Sequence, residues 1–128
     1  MANYELKGGP RTPHLFVDQN QGIINILGKS TPEDARNFYR PFIEALQTYI
    51  DSEPPETQAT IDLEYFNTAS SKIIMGILDK LSSLANYTSV KMVWIYEEDD
   101  EEMMETGVDY QSLFGELIEI RPKKIDLS

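Results

Sequence analysis

One stretch constrains the fold more than any other. Residues 59–66 read "ATIDLEYF", residues 71–87 read "SKIIMGILDKLSSLANY" and residues 89–96 read "SVKMVWIY". In the first, Ile61, Leu63 and Tyr65 alternate with Thr60, Asp62 and Glu64, the period of a half-buried strand. In the second, Ile73, Ile74, Ile77, Leu78, Leu81 and Leu84 form one stripe at helical spacing. The third is nearly continuous apolar residues, rich in β-branched and aromatic members, which suits an interior strand. A strand, a helix and a strand in this order imply parallel pairing with a right-handed crossover.

The flanking segments extend the pattern. Gly8, Gly9, Pro10 and Pro13 make residues 1–13 read as a loose arm. Two short apolar runs around Asn20-Gln21-Gly22 predict a hairpin, with strands at about 14–18 and 22–27. In "KSTPEDARNFYRPFIEALQTYID", Thr31 can cap a helix, Pro32 fits its first turn, and Glu33 and Asp34 complement its dipole. Phe38, Phe42, Leu46, Tyr49 and Ile50 then share a face. Pro41 predicts a kink, or a break near Arg40, because proline inside a helix costs about 3 kcal/mol. Residues 97–115 predict a third helix with an acidic start, and "ELIEIRP" a last strand stopped by Pro122, leaving 122–128 loose. The expected order is ββαβαβαβ: a single α/β domain over 1–128 with a mixed, mostly parallel sheet.

Composition excludes several functions. The net charge of −11 repels phosphate backbones and anionic lipid, which argues against nucleic-acid or membrane binding. No run of about twenty apolar residues predicts a membrane span, and the N-terminus lacks a signal pattern. Cysteine is absent, which removes disulfides and thiolate chemistry and points, with the rest, to the cytoplasm. His14 is the one histidine, and it reads as a strand-edge residue; neither a hydrolytic triad nor a soft-metal site is expected. No glycine-rich phosphate or dinucleotide loop appears, so no cofactor is expected. The run Glu97-Glu98-Asp99-Asp100-Glu101-Glu102 lacks the alternating ligands and central glycine of a calcium loop; it suits a solvated helix start or a dock for a basic partner. A phosphoacceptor receiver fails too, because the relevant strand ends in Phe66-Asn67-Thr68 instead of an aspartate.

Chemistry concentrates at "EYFNTASSK", residues 64–72, where a strand gives way to a helix. In open α/β sheets ligands and partners meet the protein at such crevices. Asn67, Thr68 or Ser70 can cap the helix, a contribution of about 1 kcal/mol. A hydroxyl here can equally face solvent and accept a phosphoryl group, whose charge would expel a partner docked flush against it. A different reading uses acids near the same crevice (Asp62, Glu64, Glu97) for small-ligand binding or acid–base catalysis.

The strand "IDLEYFNTASSK", its Ile/Leu-rich helix and the following "VKMVWIYEEDDEEMMETG" resemble the SiaC family of regulatory phosphoproteins. That family's fold is similar to the STAS domains of bacterial anti-sigma-factor antagonists. The resemblance covers roughly residues 14–120. It implies a non-enzymatic partner switch. A serine/threonine kinase of the histidine-kinase-like ATPase type phosphorylates the small domain, a metal-dependent phosphatase reverses this, and the unmodified form binds a target. In the family's namesake the target is a GGDEF diguanylate cyclase, which ties the family to cyclic di-GMP signalling. The family's acceptor threonine, in Asn-Thr-Ser-Ser, maps onto Thr68; here Ala69 replaces the first serine. Ser70 and Ser71 remain as alternate acceptors or caps, and Asn67, Thr68, Ser70, Ser71 and Lys72 form the expected partner surface. Nothing in the residues fixes the oligomeric state.

Overall fold

Residues 3–124 are described by a computed structural model of the chain. Its elements, in order, are β1 (Tyr4–Leu6), β2 (His14–Asp18), β3 (Ile23–Ser30), α1 (Ala35–Asp51), β4 (Glu56–Phe66), α2 (Thr68–Leu84), β5 (Ser89–Glu97), α3 (Glu101–Phe114), a 3-10 turn (Gly115–Leu117) and β6 (Ile118–Lys123). The strands form one six-stranded sheet in sequential order. β1, β2 and β3 pair antiparallel, and β3 through β6 pair parallel. The mixed, mostly parallel α/β fold expected from the sequence is therefore present.

Each crossover steps to the next strand in the same direction. Right-handed connections then put all three helices on one face of the sheet. Helix contacts agree: α1 meets α2, α2 meets α3, and each packs on the strands beneath. The core lies between these layers. Leu15, Val17, Ile24, Ile26, Ala59, Ile61, Met92 and Trp94 of the sheet meet Tyr39, Phe42, Leu46, Ile74, Ile77, Leu78 and Leu81 of the helices.

Several expectations need correction. The arm 1–13 is not loose over residues 4–6: Tyr4, Glu5 and Leu6 pair with Val17, Phe16 and Leu15. Tyr4 and Leu6 point to the core side, Tyr4 packing 6.0 Å from Phe42, and His14 Nε2 lies 2.8 Å from Glu5 Oε2. The order thus gains a strand. The cap of α1 is Asp34, whose Oδ1 accepts from Asn37 N at 3.2 Å. Thr31 instead bonds twice to Arg11 O, which ties the N-terminal segment down. Helix α1 runs unbroken through Pro41. Pro41 and Asn37 are both exposed, so the carbonyl that loses its helical donor faces the solvent side. Pro122 does not stop β6, which reaches Lys123; β6 is an edge strand, where a missing donor is tolerated. The remainder of the tail expected to be loose, residues 125–128, lies outside the described residues.

Among the described residues no helix is long and apolar enough to cross a membrane.

Candidate functional site

Strand β4 does not keep its alternation to the end. Gly28 pairs with Leu63, but Lys29 pairs with Tyr65, so Glu64 is an extra residue in a β-bulge. Gly28 has φ +110, a conformation that favours glycine, directly beside the shift. The bulge reverses the pattern. Tyr65, expected to point inward, is 57% exposed, while Phe66 turns in and stacks edge-on against Trp94 at 6.1 Å. The strand then ends at Asn67, whose N–H donates to Ser30 O of the neighbouring strand at 3.1 Å.

Asn67 is the N-cap of α2. Its backbone is extended, and its Oδ1 accepts from Ser70 N at 2.9 Å. The helix therefore starts at Thr68, three residues before the apolar stripe suggested. Thr68 is exposed, and among the described residues its hydroxyl has no hydrogen-bond partner. Lys72, one turn on, is exposed on the same side. Ser71 is half-buried and spends its hydroxyl on Thr68 O at 2.7 Å.

Ser70 is different. It is 0% exposed, and its Oγ accepts from Ser30 Oγ at 2.9 Å. An oxygen sealed in the interior is out of a kinase's reach and of a partner's surface, so Ser70 drops out both as alternate acceptor and as contact residue. The signal was in the sequence: residues 70, 74, 77, 78 and 81 share one helical stripe, and the other four are core residues. Ser30 lies at 2.6 Å from Tyr39 Oη, and burial pushes the Tyr39 phenol up to about 12, the Ser30 bond pulling the other way. No local pattern marks Ser30 and Tyr39, because their roles come from tertiary pairing.

Two clefts flank Thr68. On one side Glu33, Asp34, Ala35 and Arg36 of the α1 start face Ala69, Lys72 and Ile73 of α2. On the other, Glu64, Tyr65 and Phe66 face Asp100, Glu102, Met103 and Thr106 of α3. The acidic run resolves into a helix start. Asp100 caps α3 by accepting from Met103 N at 3.0 Å, and Glu101 and Glu102 occupy its first turn. Among the described residues no group of three or more acidic or histidine side chains is arranged to hold a metal ion. Asp62 and Glu64 of the catalytic reading sit in different surroundings. Asp62 is ion-paired to Lys123 Nζ at 2.8 Å, whereas Glu64 lies exposed in the bulge.

A family model for SiaC family regulatory phosphoproteins matches residues 6–123. The chain belongs to the SiaC family. An uncharacterised protein of Pseudomonas aeruginosa (strain UCBPP-PA14) is 24% identical over 112 residues, 87% of this chain and 89% of its own length. The structure of SiaC from Pseudomonas aeruginosa, in complex with the diguanylate cyclase SiaD that it activates, aligns with a TM-score of 0.87 at 22% identity, over 94% of this chain and 99% of the other. Apo-SiaC from the same species aligns at 0.85 and 23% identity, with the same coverage. These likenesses establish that the fold is shared across the whole SiaC family member.

Proposed function

We propose that this chain is a non-enzymatic regulator in a partner-switching system, phosphorylated reversibly on Thr68, whose unphosphorylated form binds and regulates a diguanylate cyclase. The observation that carries the reading is the division of labour in the α2 first turn. Asn67 caps, Ser70 is buried and Ser71 is tied to the backbone, while Thr68 alone offers a free, exposed hydroxyl. A phosphate there adds about two negative charges and three acceptor oxygens. At a helix N-terminus the fold accommodates them. At a flush protein interface they must be desolvated, and the partner leaves. The target class is supported by the SiaC–SiaD complex formed by a relative of the same fold. The modifying enzymes are a serine/threonine kinase of the histidine-kinase-like ATPase type and a metal-dependent phosphatase, as the family resemblance implies.

The test is to incubate the purified chain with the kinase and MgATP, locate the added mass, and titrate a diguanylate cyclase with each form. Phosphate is expected on Thr68, absent in Thr68→Ala, with cyclase affinity retained in Thr68→Ala and reduced in Thr68→Asp. Phosphate confined to residues other than Thr68, or equal cyclase affinity for the phosphorylated and unmodified chains, overturns it.

A further inference from the structure

Beneath Thr68 lies a feature that charge repulsion alone does not require. Three hydroxyls from three elements form a chain in the interior: Ser30 at the end of β3, Tyr39 in α1 and Ser70 in α2, each 0% exposed. Ser30 Oγ donates to Ser70 Oγ at 2.9 Å and lies 2.6 Å from Tyr39 Oη. A serine hydroxyl has one proton, so with Ser30 donating to Ser70, Tyr39 must donate to Ser30. Ser30 also holds Asn67 through the main chain, its carbonyl accepting from Asn67 N at 3.1 Å. Asn67 in turn accepts from Ser70 N through its side chain, at 2.9 Å, and from Ser71 N through its carbonyl, at 3.0 Å. Residues on both sides of Thr68 are therefore anchored to one serine, and that serine to α1.

Stability does not demand this arrangement. Buried hydroxyls lose their water and regain little net free energy, so phenylalanine and alanines would fill nearly the same space without that loss. What a satisfied polar chain adds is geometry, because a hydrogen bond fixes orientation where apolar contacts slide. We propose that Ser30 and Tyr39 are positioning residues for the phosphoacceptor: through Ser70 and Asn67 they lock the first turn of α2, so that Thr68 is presented outward on a backbone that stays still. The phosphate is then read by the partner as charge on an unchanged surface. This rests on Thr68 being the acceptor, and extends it by placing control of that hydroxyl on α1.

The experiment compares wild type, Tyr39→Phe and Ser30→Ala with Gly107→Ala, a substitution that strains α3 instead. Native-state hydrogen exchange is followed at the amides of Ser70 and Ser71 and along α3, and phosphorylation by the kinase is resolved into kcat and KM. In Tyr39→Phe, exchange at Ser70 and Ser71 is expected to rise about three- to tenfold, the weight of one buried hydrogen bond, with α3 unchanged. Its kcat for phosphoryl transfer is expected to fall by a similar factor at nearly constant KM. Ser30→Ala repeats the effect, and Gly107→Ala reverses it, loosening α3 while leaving phosphorylation at the wild-type rate. Unchanged or uniformly raised exchange overturns the anchoring. Localised exchange with wild-type phosphorylation kinetics overturns the positioning role. If wild type takes no phosphate on Thr68 the acceptor reading falls and this proposal with it, and the exchange data still show whether the anchoring itself is real.

Discussion

Gly107 shows how much one side chain can decide. It lies buried in α3 against the indole of Trp94, and a Cβ there would stand 2.5 Å from Trp94 Cδ1. The indole cannot retreat freely, since its N–H donates to Met103 O at 3.0 Å and its ring packs edge-on against Tyr110 at 5.2 Å. Gly107→Ala is therefore expected to destabilise by about 1–3 kcal/mol, as overpacking does. Gly76 is the opposite case: it is an exposed residue of α2 with nothing within 4 Å of the added carbon. Gly76→Ala is expected to stabilise by about 0.5–1 kcal/mol through helix propensity. Urea unfolding followed by Trp94 fluorescence separates the two, with midpoints moving in opposite directions at constant slope. Midpoints shifting the same way would show that α3 can move off the ring. The hydroxyls of Thr68 and Ser70 carry the same lesson: two positions apart on a helix, they go to water and to core.

At the scale of elements, the first turn of α2 depends on Asn67. Its side chain satisfies Ser70 N, one of the donors that a helix start leaves open. Asn67→Ala is expected to cost about 1 kcal/mol, and Asn67→Asp much less, since aspartate caps equally well. Thermal unfolding by circular dichroism checks both, and an equal loss for the two variants would mean that the asparagine N–H groups, not its oxygen, matter. The elements were legible wherever a period ran long enough. Six apolar residues on one stripe announced α2, and the alternation of Ile61 and Leu63 announced β4. Where it ran short, the reading failed. β1 offers only three residues, its pairing with β2 supplied by tertiary contact. The bulge at Glu64 depends on the register of two strands, which no single segment encodes, and it turned Tyr65 outward against its own pattern. At the site, sequence marked the strand-to-helix junction and Asn67 as a possible cap, but it could not tell buried hydroxyls from exposed ones, because that depends on Ser30 and Tyr39 reaching in from other elements.

The molecule as a whole joins its helical layer to its sheet through buried tyrosines, and this makes a pH dependence. Burial raises the phenols of Tyr39, Tyr49, Tyr110 and Tyr4 above their ordinary value of 10.0, Tyr39 to about 12. The side-chain contacts with Ser30 and Thr57 pull Tyr39 and Tyr49 the other way, and Asp109 raises Tyr110 further. The neutral phenol is the form the fold accepts. Between 10 and about 12 the unfolded chain therefore holds fewer protons than the folded one, and stability must fall as pH rises. The contribution is complete below 10 and lost as pH climbs through the folded value; for Tyr39 alone it amounts to about 2–3 kcal/mol. Tyr49 and Tyr110 add in the same direction. Cooperative unfolding is thus expected on the alkaline side, with phenolate absorbance rising together with the loss of circular dichroism. Tyr39→Phe should lose less of its own neutral-pH stability over that range than wild type does. Phenols that titrate near 10 while the fold stays intact would mean that the helical layer admits water, and the interior chain from Tyr39 to Ser70 would lose its dry setting.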